Sequence, residues 1–252
     1  ADEIWRAMLL HPAPFRTRRR INSRIPSSPR CKMCAAPFAG PGAPLMRMLD
    51  RGPWAKNPAI CGLCFKQLEK VRGGAEIELT MLFADVRGST SLAERLSPAE
   101  FSRLLNRFYA VANKAVIDSD GLVDKFVGDE VVAFYLPIVG PDHPQKAVDA
   151  AIEILERTGH RDRGGPWIPV GAGVHTGVAY VGAVGEEHQR DFTALGDAVN
   201  VTARLASLAG AGEALISEAA HTASGSDLGD LDRRELSLKG RDAPLAVRVL
   251  RA

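Results

Sequence analysis

Four groups of residues in this 252-residue chain have types and spacings that could do chemistry. Asp85 closes the apolar run Leu79-Thr80-Met81-Leu82-Phe83-Ala84 and is followed by Val86-Arg87-Gly88-Ser89-Thr90. An acid at the point where a buried strand meets solvent is well placed to hold a hard cation, although such an acid can equally form a turn or cap a helix. Gly88, Ser89 and Thr90 make a small turn whose backbone N–H groups can approach phosphate oxygens before a helix begins. Asp129 lies 44 positions beyond Asp85, in Gly128-Asp129-Glu130, where a metal ligand and a plain turn acid read alike. Asn200 and Arg204 are four residues apart, so on a helix they project from one face. The chain's four cysteines form two CxxC knuckles, Cys31-Lys32-Met33-Cys34 and Cys61-Gly62-Leu63-Cys64.

The elements that must carry these residues can be read from periodicity and capping signals. The opening strand is expected from Ile77, after a hinge at Arg72-Gly73-Gly74. Ser97-Pro98-Ala99-Glu100 is a helix start with a Ser cap, Pro in the first turn and Glu three residues on. Phe101, Leu104, Leu105, Phe108, Val111, Ala112, Ala115 and Val116 then recur at helical spacing until Gly121. Leu122–Val127 and Val131–Leu136 read as a hairpin with Asp129 at its tip. A second helix is expected over Pro144–Thr158, a strand over Ile168–Thr176, a hairpin-like stretch over Gly177–Val184 and a strand over Asp191–Leu195. Gly196-Asp197 introduces a helix over Ala198–Leu208, and strands near Ala214–Ser217, Glu235–Lys239 and Leu245–Leu250 complete the chain. This order predicts an α+β fold with a ferredoxin-like βαββαβ core and added C-terminal strands. In such a sheet the first strand and the central hairpin are neighbours, which pairs Asp85 with Asp129. Two carboxylates in one site need a cation to offset their repulsion, and oxygen ligands favour Mg²⁺ or Mn²⁺.

The cysteine block, together with its Pro/Gly-rich spacer, has the ligand count of a closed structural zinc site, with 26 residues between the knuckles. An iron–sulfur cluster and a pair of disulfides are the competing readings. Four thiolates leave no open coordination position, so the metal would hold a small module together. Charge divides the chain in the same place. Residues 1–74 carry 14 Lys/Arg against 4 Asp/Glu, and residues 75–252 carry 18 against 26. The organisation expected is a basic segment over 1–30, a four-cysteine module and hinge over 31–74, and a larger domain over 75–252. Ile4, Trp5, Met8 and Leu9 mark a short amphipathic helix, with little core expected around it. Docking on the chain's own next domain is a more economical use of that helix than contact with an anionic membrane surface. The basic charge permits nucleic-acid binding, but only Phe38 and Trp54 between the knuckles offer stacking, which argues against it. No apolar run reaches the length of a membrane span and the first ten residues are too charged for a signal peptide, so a cytoplasmic location is expected.

Three segments taken together resemble the signature segments of the class III adenylyl/guanylyl cyclases: Phe83-Ala84-Asp85-Val86-Arg87-Gly88-Ser89-Thr90, Lys125-Phe126-Val127-Gly128-Asp129-Glu130, and Leu195-Gly196-Asp197-Ala198-Val199-Asn200-Val201-Thr202-Ala203-Arg204-Leu205. The likeness covers about residues 75–252. It implies that Asp85 and Asp129, with the Val86 carbonyl, bind two Mg²⁺ or Mn²⁺ ions. Asn200 would orient the ribose of a nucleoside triphosphate and Arg204 would stabilise charge on its α-phosphate. The Gly88-Ser89-Thr90 turn would meet the phosphates.

Lys125 occupies the family's base-reading position, where Lys suits adenine. Its companion position, commonly Asp in adenylyl cyclases, falls on Thr193, a departure that resembles the bicarbonate-responsive branch. Lys239 lies where the family often has a triphosphate-binding Lys, and an exposed strand Lys reads the same way. The resemblance implies conversion of ATP to 3′,5′-cyclic AMP in a homodimer with two shared sites. A guanylate or other nucleotide cyclase, or a catalytically silent nucleotide sensor, is the alternative. A diguanylate cyclase or polymerase-palm enzyme would share the core but not the Asn200/Arg204 helix.

Overall fold

The strand that ends at Asp85 is covered on both faces, and the rest of the fold follows from what covers it. The computed structural model describes residues 2–10, 15–54, 58–71, 73–186, 191–225, 231–238 and 243–252. In chain order its elements are α1 (Asp2–Leu10), α2 (Arg16–Asn22), α3 (Ala43–Met48), α4 (Gly62–Lys70), β1 (Gly73–Val86), α5 (Ser89–Arg95), α6 (Pro98–Asp118), β2 (Leu122–Val127), β3 (Glu130–Tyr135), α7 (His143–Arg157), β4 (Val170–Val184), β5 (Asp191–Leu195), α8 (Asp197–Leu208), β6 (Glu213–Ser217), α9 (Glu218–Ser224), β7 (Asp232–Leu236) and β8 (Leu245–Arg251). They fall into two units. One holds residues 1–78, 136–141 and 178–196, the other residues 79–135, 142–177 and 197–252.

The larger unit has the predicted core. Its sheet runs β2-β3-β1-β4-β6-β8-β7, and the first four strands in that order are the ferredoxin-like arrangement. Leu82, Ala84 and Val86 share one buried cluster with Phe108, Ala112, Ala115 and Val116 of α6 and Ala147, Val148, Ile154 and Leu155 of α7. The alternate residues of β1 face the other way, where Thr202 of α8 meets the Met81 sulfur at 3.9 Å. A strand buried on both sides explains the continuous apolar run. On α6 the capping box is complete: Ser97 Oγ accepts from the Glu100 N–H at 3.3 Å, and Glu100 accepts from the Ser97 N–H at 3.0 Å.

The smaller unit has more core than its sequence suggested. Trp5, Met8, Leu9 and Phe15 are all buried, with Trp5 stacked on Phe192, so α1 does dock on its own fold. Several arginines of the basic segment are used inside the unit. Arg19 donates to the Lys32 and Met33 carbonyls, Arg30 to those of Asn22, Ala35 and Ile25, and Arg18 to Gln67. Guanidinium groups here supply donors to carbonyls of loops and of the end of α2.

Two readings of glycine need correction. Gly73 and Gly74, expected to form a hinge, open β1. A Cβ on Gly74 would stand 2.5 Å from the Val181 carbonyl oxygen, and one on Gly182 would stand 2.4 Å from the Gly74 Cα, so these glycines permit close backbone approach. The hairpin expected at Gly177–Val184 is likewise continuous strand, the second half of β4, and its antiparallel partner is β5. The strand expected over Glu235–Lys239 is β7 at Asp232–Leu236, and Lys239 lies outside the described residues. The sequence reading did not include α9, which Ser217 caps by accepting from the Ala220 N–H at 3.1 Å. No described helix is long and apolar enough to cross a membrane.

A buried polar chain crosses the sheet of the larger unit. Thr80 Oγ1 lies 2.8 Å from Thr176 Oγ1 and 3.1 Å from His143 Nδ1. Burial holds the His143 imidazole down to about 4, whereas an unfolded chain protonates it near 6.5. Between those values the unfolded state binds the extra proton, so stability is expected to fall as pH drops from 6.5 towards 4, by roughly 3 kcal/mol for this one group. Urea unfolding across that window should show the loss, and a His143→Gln protein should lack that part of it.

Candidate active site and cysteine cluster

Strand register brings the two predicted acids together. In the antiparallel β1/β3 pair Asp85 sits opposite Glu130, and the Val86 N–H donates to the Asp129 carbonyl at 3.3 Å. Gly128, at φ +61°, makes the turn that presents Asp129, with no atom within 4 Å of where a Cβ would stand. Glycine is needed there for its backbone conformation. The Tyr109 hydroxyl donates to the Gly128 carbonyl, and its ring stacks on Phe126 at 4.5 Å, which fixes the hairpin tip against α6.

Three carboxylates thus share one end of the sheet. Burial, reinforced by the charge on Asp129, pushes the Glu130 carboxyl up to about 7, with Arg87 opposing. Tyr109 is raised for the same two reasons. Arg87 is the feature that sequence reasoning missed. Its guanidinium pairs with Asp85 and also donates to the Ser207 carbonyl at 2.6 Å and the Ala209 carbonyl at 3.5 Å, at the end of α8, while its own N–H donates to Pro169. Burial lowers its pKa, and the charges on Asp129 and Glu130 act against that. The signal was present in the sequence as the i, i+2 spacing of Asp85 and Arg87, which sends both side chains to one face of an extended segment.

The remaining predicted residues are carried by several elements. Gly88 is left-handed at φ +66° and Ser89 opens α5, as the turn required. Asn200 is exposed and Arg204 half-buried on α8, whose other face buries Val201 and Leu205 against Leu215, Val247 and Val249. Among the described residues no hydrogen bond or ion pair joins Asp85 or Asp129 to Asn200 or Arg204. Lys125 is half-buried on β2, its ammonium 3.3 Å from the carboxylate of Asp124, which a β-bulge turns inward. Thr193 is buried on β5, opposite Gly182.

In the smaller unit the four cysteines converge as thiols, all buried, with their sulfurs within 4.8 Å of one another. Cys34 and Cys61 are 3.7 Å apart, close to the edge of about 3.8 Å that a tetrahedron of Zn–S bonds requires. The first knuckle closes with Ala35 in the left-handed region, its N–H donating to the Cys31 carbonyl at 2.9 Å. Asn22 holds the Cys34 carbonyl at 2.8 Å, and the Cys61 N–H donates to the Cys31 sulfur at 3.3 Å. Donation from the neighbouring thiols, Cys34 first, drives the Cys31 pKa far down. Cys34 is lowered as well, while Cys61 and Cys64 are pushed far up, chiefly by hydrogen bonding of their thiols to Cys31 and then Cys34. Two of the four thiols are lowered and two raised, and a full set of four thiolates would need a cation at its centre.

Comparison with known proteins agrees with this geometry. Residues 74–249 match the family model for the adenylate and guanylate cyclase catalytic domain. An adenylate cyclase of Anabaena cylindrica is 34% identical over 163 residues, 60% of this chain and 32% of that protein. Adenylate cyclase 1 of Rhizobium meliloti is 34% identical over 134 residues, 51% of this chain and 20% of that protein. The chain therefore spans about a third or less of the length of these relatives. Among solved structures, a guanylyl cyclase superposes with TM-score 0.64 at 27% identity, covering 70% of this chain and 93% of its own. The adenylyl cyclase CyaB from P. aeruginosa does so with TM-score 0.61 at 29% identity, covering 70% and 95%.

Arg87→Ala leaves Asp85 facing Glu130 without its guanidinium and frees the carbonyls at the end of α8. It is expected to destabilise the protein by about 1–3 kcal/mol, read as a lower urea midpoint at unchanged slope. Added Mn²⁺ should recover part of the loss.

Proposed function

The chain belongs to the adenylate and guanylate cyclase family, and from that premise we propose that it converts ATP to 3′,5′-cyclic AMP and pyrophosphate in cyclic-nucleotide signalling. The observation that carries the reading is the pairing of Asp85 with the Asp129 hairpin at one end of the sheet, with Asn200 and Arg204 held on a separate helix face. The donor set there is all oxygen and crowded with negative charge, which suits Mg²⁺ or Mn²⁺. Asp85, Asp129 and the Val86 carbonyl would hold two such ions, which when bound acidify the ribose 3′-hydroxyl and offset charge on the leaving pyrophosphate.

The chain's own groups do the rest. Asn200 orients the ribose, and Arg204 acts on charge that develops at the α-phosphate during in-line attack by the 3′-hydroxyl. The Gly88-Ser89-Thr90 turn meets the phosphates with backbone N–H groups, and Lys239 would bind the triphosphate. Lys125 donates to adenine N1. A hydroxyl at Thr193 can accept from the adenine amino group or donate to a guanine carbonyl, so it discriminates less than a carboxylate would. That side chain favours cyclisation of GTP as the second reading, and it supports a link to the bicarbonate-responsive branch. The family resemblance implies that each complete site is assembled from two protomers of a homodimer, with Asp85 and Asp129 of one working with Asn200 and Arg204 of the other. The cysteine cluster holds a structural Zn²⁺, since the thiol spacing suits one ion shared by four sulfurs, whereas a multi-iron cluster would spread them wider.

Purified protein given ATP, GTP, CTP or UTP, each with Mg²⁺ or Mn²⁺, is expected to yield cyclic AMP foremost. Asp85→Ala or Asp129→Ala should abolish that product with the fold intact, and full activity in either would sink the two-ion reading. Mixing an Asp85→Ala chain with an Arg204→Ala chain should restore about a quarter of wild-type activity, since half the dimers are mixed and each mixed dimer has one intact site. A mixture that stays inactive despite demonstrated heterodimers would rule out shared sites. Elemental analysis should find about one zinc per chain, lost on Cys31→Ser or Cys61→Ser. Iron with sulfide would overturn that assignment.

A further inference from the structure

The strand that carries Thr193 is short and weakly anchored by its own sheet. Among the described residues β5 pairs with β4 alone and lies off the main path of the sheet. An edge strand of five residues, with one strand partner, is the kind of element that shifts and opens most easily. The face opposite Thr193 has a different kind of support. Phe192, one residue earlier and therefore on the other side of the strand, is 4% exposed. Trp5 of α1 stacks on it at 6.0 Å with the rings inclined 17°, and Phe65 of α4 meets it edge-on at 6.4 Å and 81°. Phe65 is in turn stacked on Trp54 at 3.5 Å and follows Cys64 of the cysteine cluster directly. The rings form one continuous chain, Trp54–Phe65–Phe192–Trp5, from the cysteine cluster to β5.

Beside Thr193 in the sheet the support is backbone. Gly182, its partner on β4, is pressed against Gly73 and Gly74, with no room for a Cβ. A threonine hydroxyl has a short reach and one rotatable bond, so where it sits is decided almost wholly by where its backbone sits. Aromatic contacts of this kind supply both apolar burial and a preferred geometry.

We propose that Phe192 is a positioning residue for nucleotide selection: held between Trp5 and Phe65, it sets the height of β5 and so the place of the Thr193 hydroxyl. The N-terminal helix and the cysteine module then take part in choosing the base, although none of their residues touches it. This rests on the reading of Thr193 as a base contact. The consequence is specific. Loosening the ring chain changes which nucleotide is preferred and how tightly it is held, while the groups that act on the phosphates keep their rate.

The test compares Trp5→Leu, Phe192→Met and the conservative Trp5→Phe with wild type, all as the full chain with zinc content checked. The KM and kcat for ATP and GTP are measured together with hydrogen exchange at the amides of β5. Trp5→Leu and Phe192→Met are expected to raise the KM for the preferred nucleotide and to move the ATP:GTP ratio of kcat/KM by about tenfold. Their kcat should stay within a few fold, exchange in β5 should be faster, and Trp5→Phe should stay near wild type. Should Trp5→Leu fail to fold, Phe192→Met, which keeps side-chain volume while removing the ring contacts, gives the same reading. Faster exchange with an unchanged ratio would reduce Phe192 to structural support and overturn the proposal, as would no change in either measurement. Thr193→Val separates the two levels. A ratio unmoved by Thr193→Val overturns the base-contact reading itself, whereas a ratio moved by Thr193→Val but by neither ring variant overturns the role of Phe192 alone.

Discussion

Negative charge at the end of β1 is the constraint around which the larger unit is arranged. Strand pairing places Asp85 opposite Glu130 and one step from Asp129, and backbone geometry leaves the side chains little freedom to move apart. Carboxylates crowded in this way respond by taking up a proton, by finding a cation, or by both. The folded chain does both. Glu130, partly buried and beside Asp129, has its carboxyl raised to about 7, and Asp85 takes the Arg87 guanidinium as partner. Arg87 brings more than charge, since the same group satisfies carbonyls at the end of α8, where the helix dipole is itself negative. One cationic side chain thus serves an acid on β1 and the terminus of the helix that carries Asn200 and Arg204.

The smaller unit solves a related problem with opposite materials. Its loops are rich in proline and glycine and poor in regular structure, so many carbonyls lack backbone partners. Arginines supply the missing donors. Arg19 and Arg30 each reach more than one carbonyl near the first knuckle, and Asn22 holds the carbonyl of Cys34. The sulfurs are therefore gathered by a scaffold of side-chain hydrogen bonds, and Cys31 and Cys34 are lowered while hydrogen bonding within the cluster raises Cys61 and Cys64. A central cation would complete such a scaffold, because the polypeptide has already met the cost of bringing the ligands together.

Legibility in the sequence followed the locality of the signal. Helix α6 was readable to within a few residues because its cap, its periodicity and its terminal Gly121 are all local, and the hairpin at Asp129 was readable because Gly128 marks its turn. The cysteine knuckles were equally plain. Glycine was harder, because one residue type serves two purposes. Gly128 is there for a left-handed backbone, but Gly74 and Gly182 are there because two backbones touch, a fact that resides in a partner strand over a hundred positions away. The long strand β4 was broken in two for that reason. The bulge that turns Asp124 inward and the arginines that bind loop carbonyls were not legible either, since no local pattern states where a side chain will find its partner.

The same distinction bears on how selectivity can be built into this fold. Residues that act on phosphates sit where charge and metal binding demand them, and their types are constrained by the reaction, which makes them visible as motifs. A base-reading hydroxyl is constrained by position, and position is delegated to whatever packs behind the strand. At β5 that backing is aromatic and comes from α1 and the cysteine module, segments of a unit whose sequence bears none of the catalytic motifs before β1. Replacing those segments leaves every motif residue untouched. A set of chains could share Asp85, Asp129, Asn200 and Arg204 and still differ in which nucleotide they favour, because the difference would lie in the rings behind Thr193.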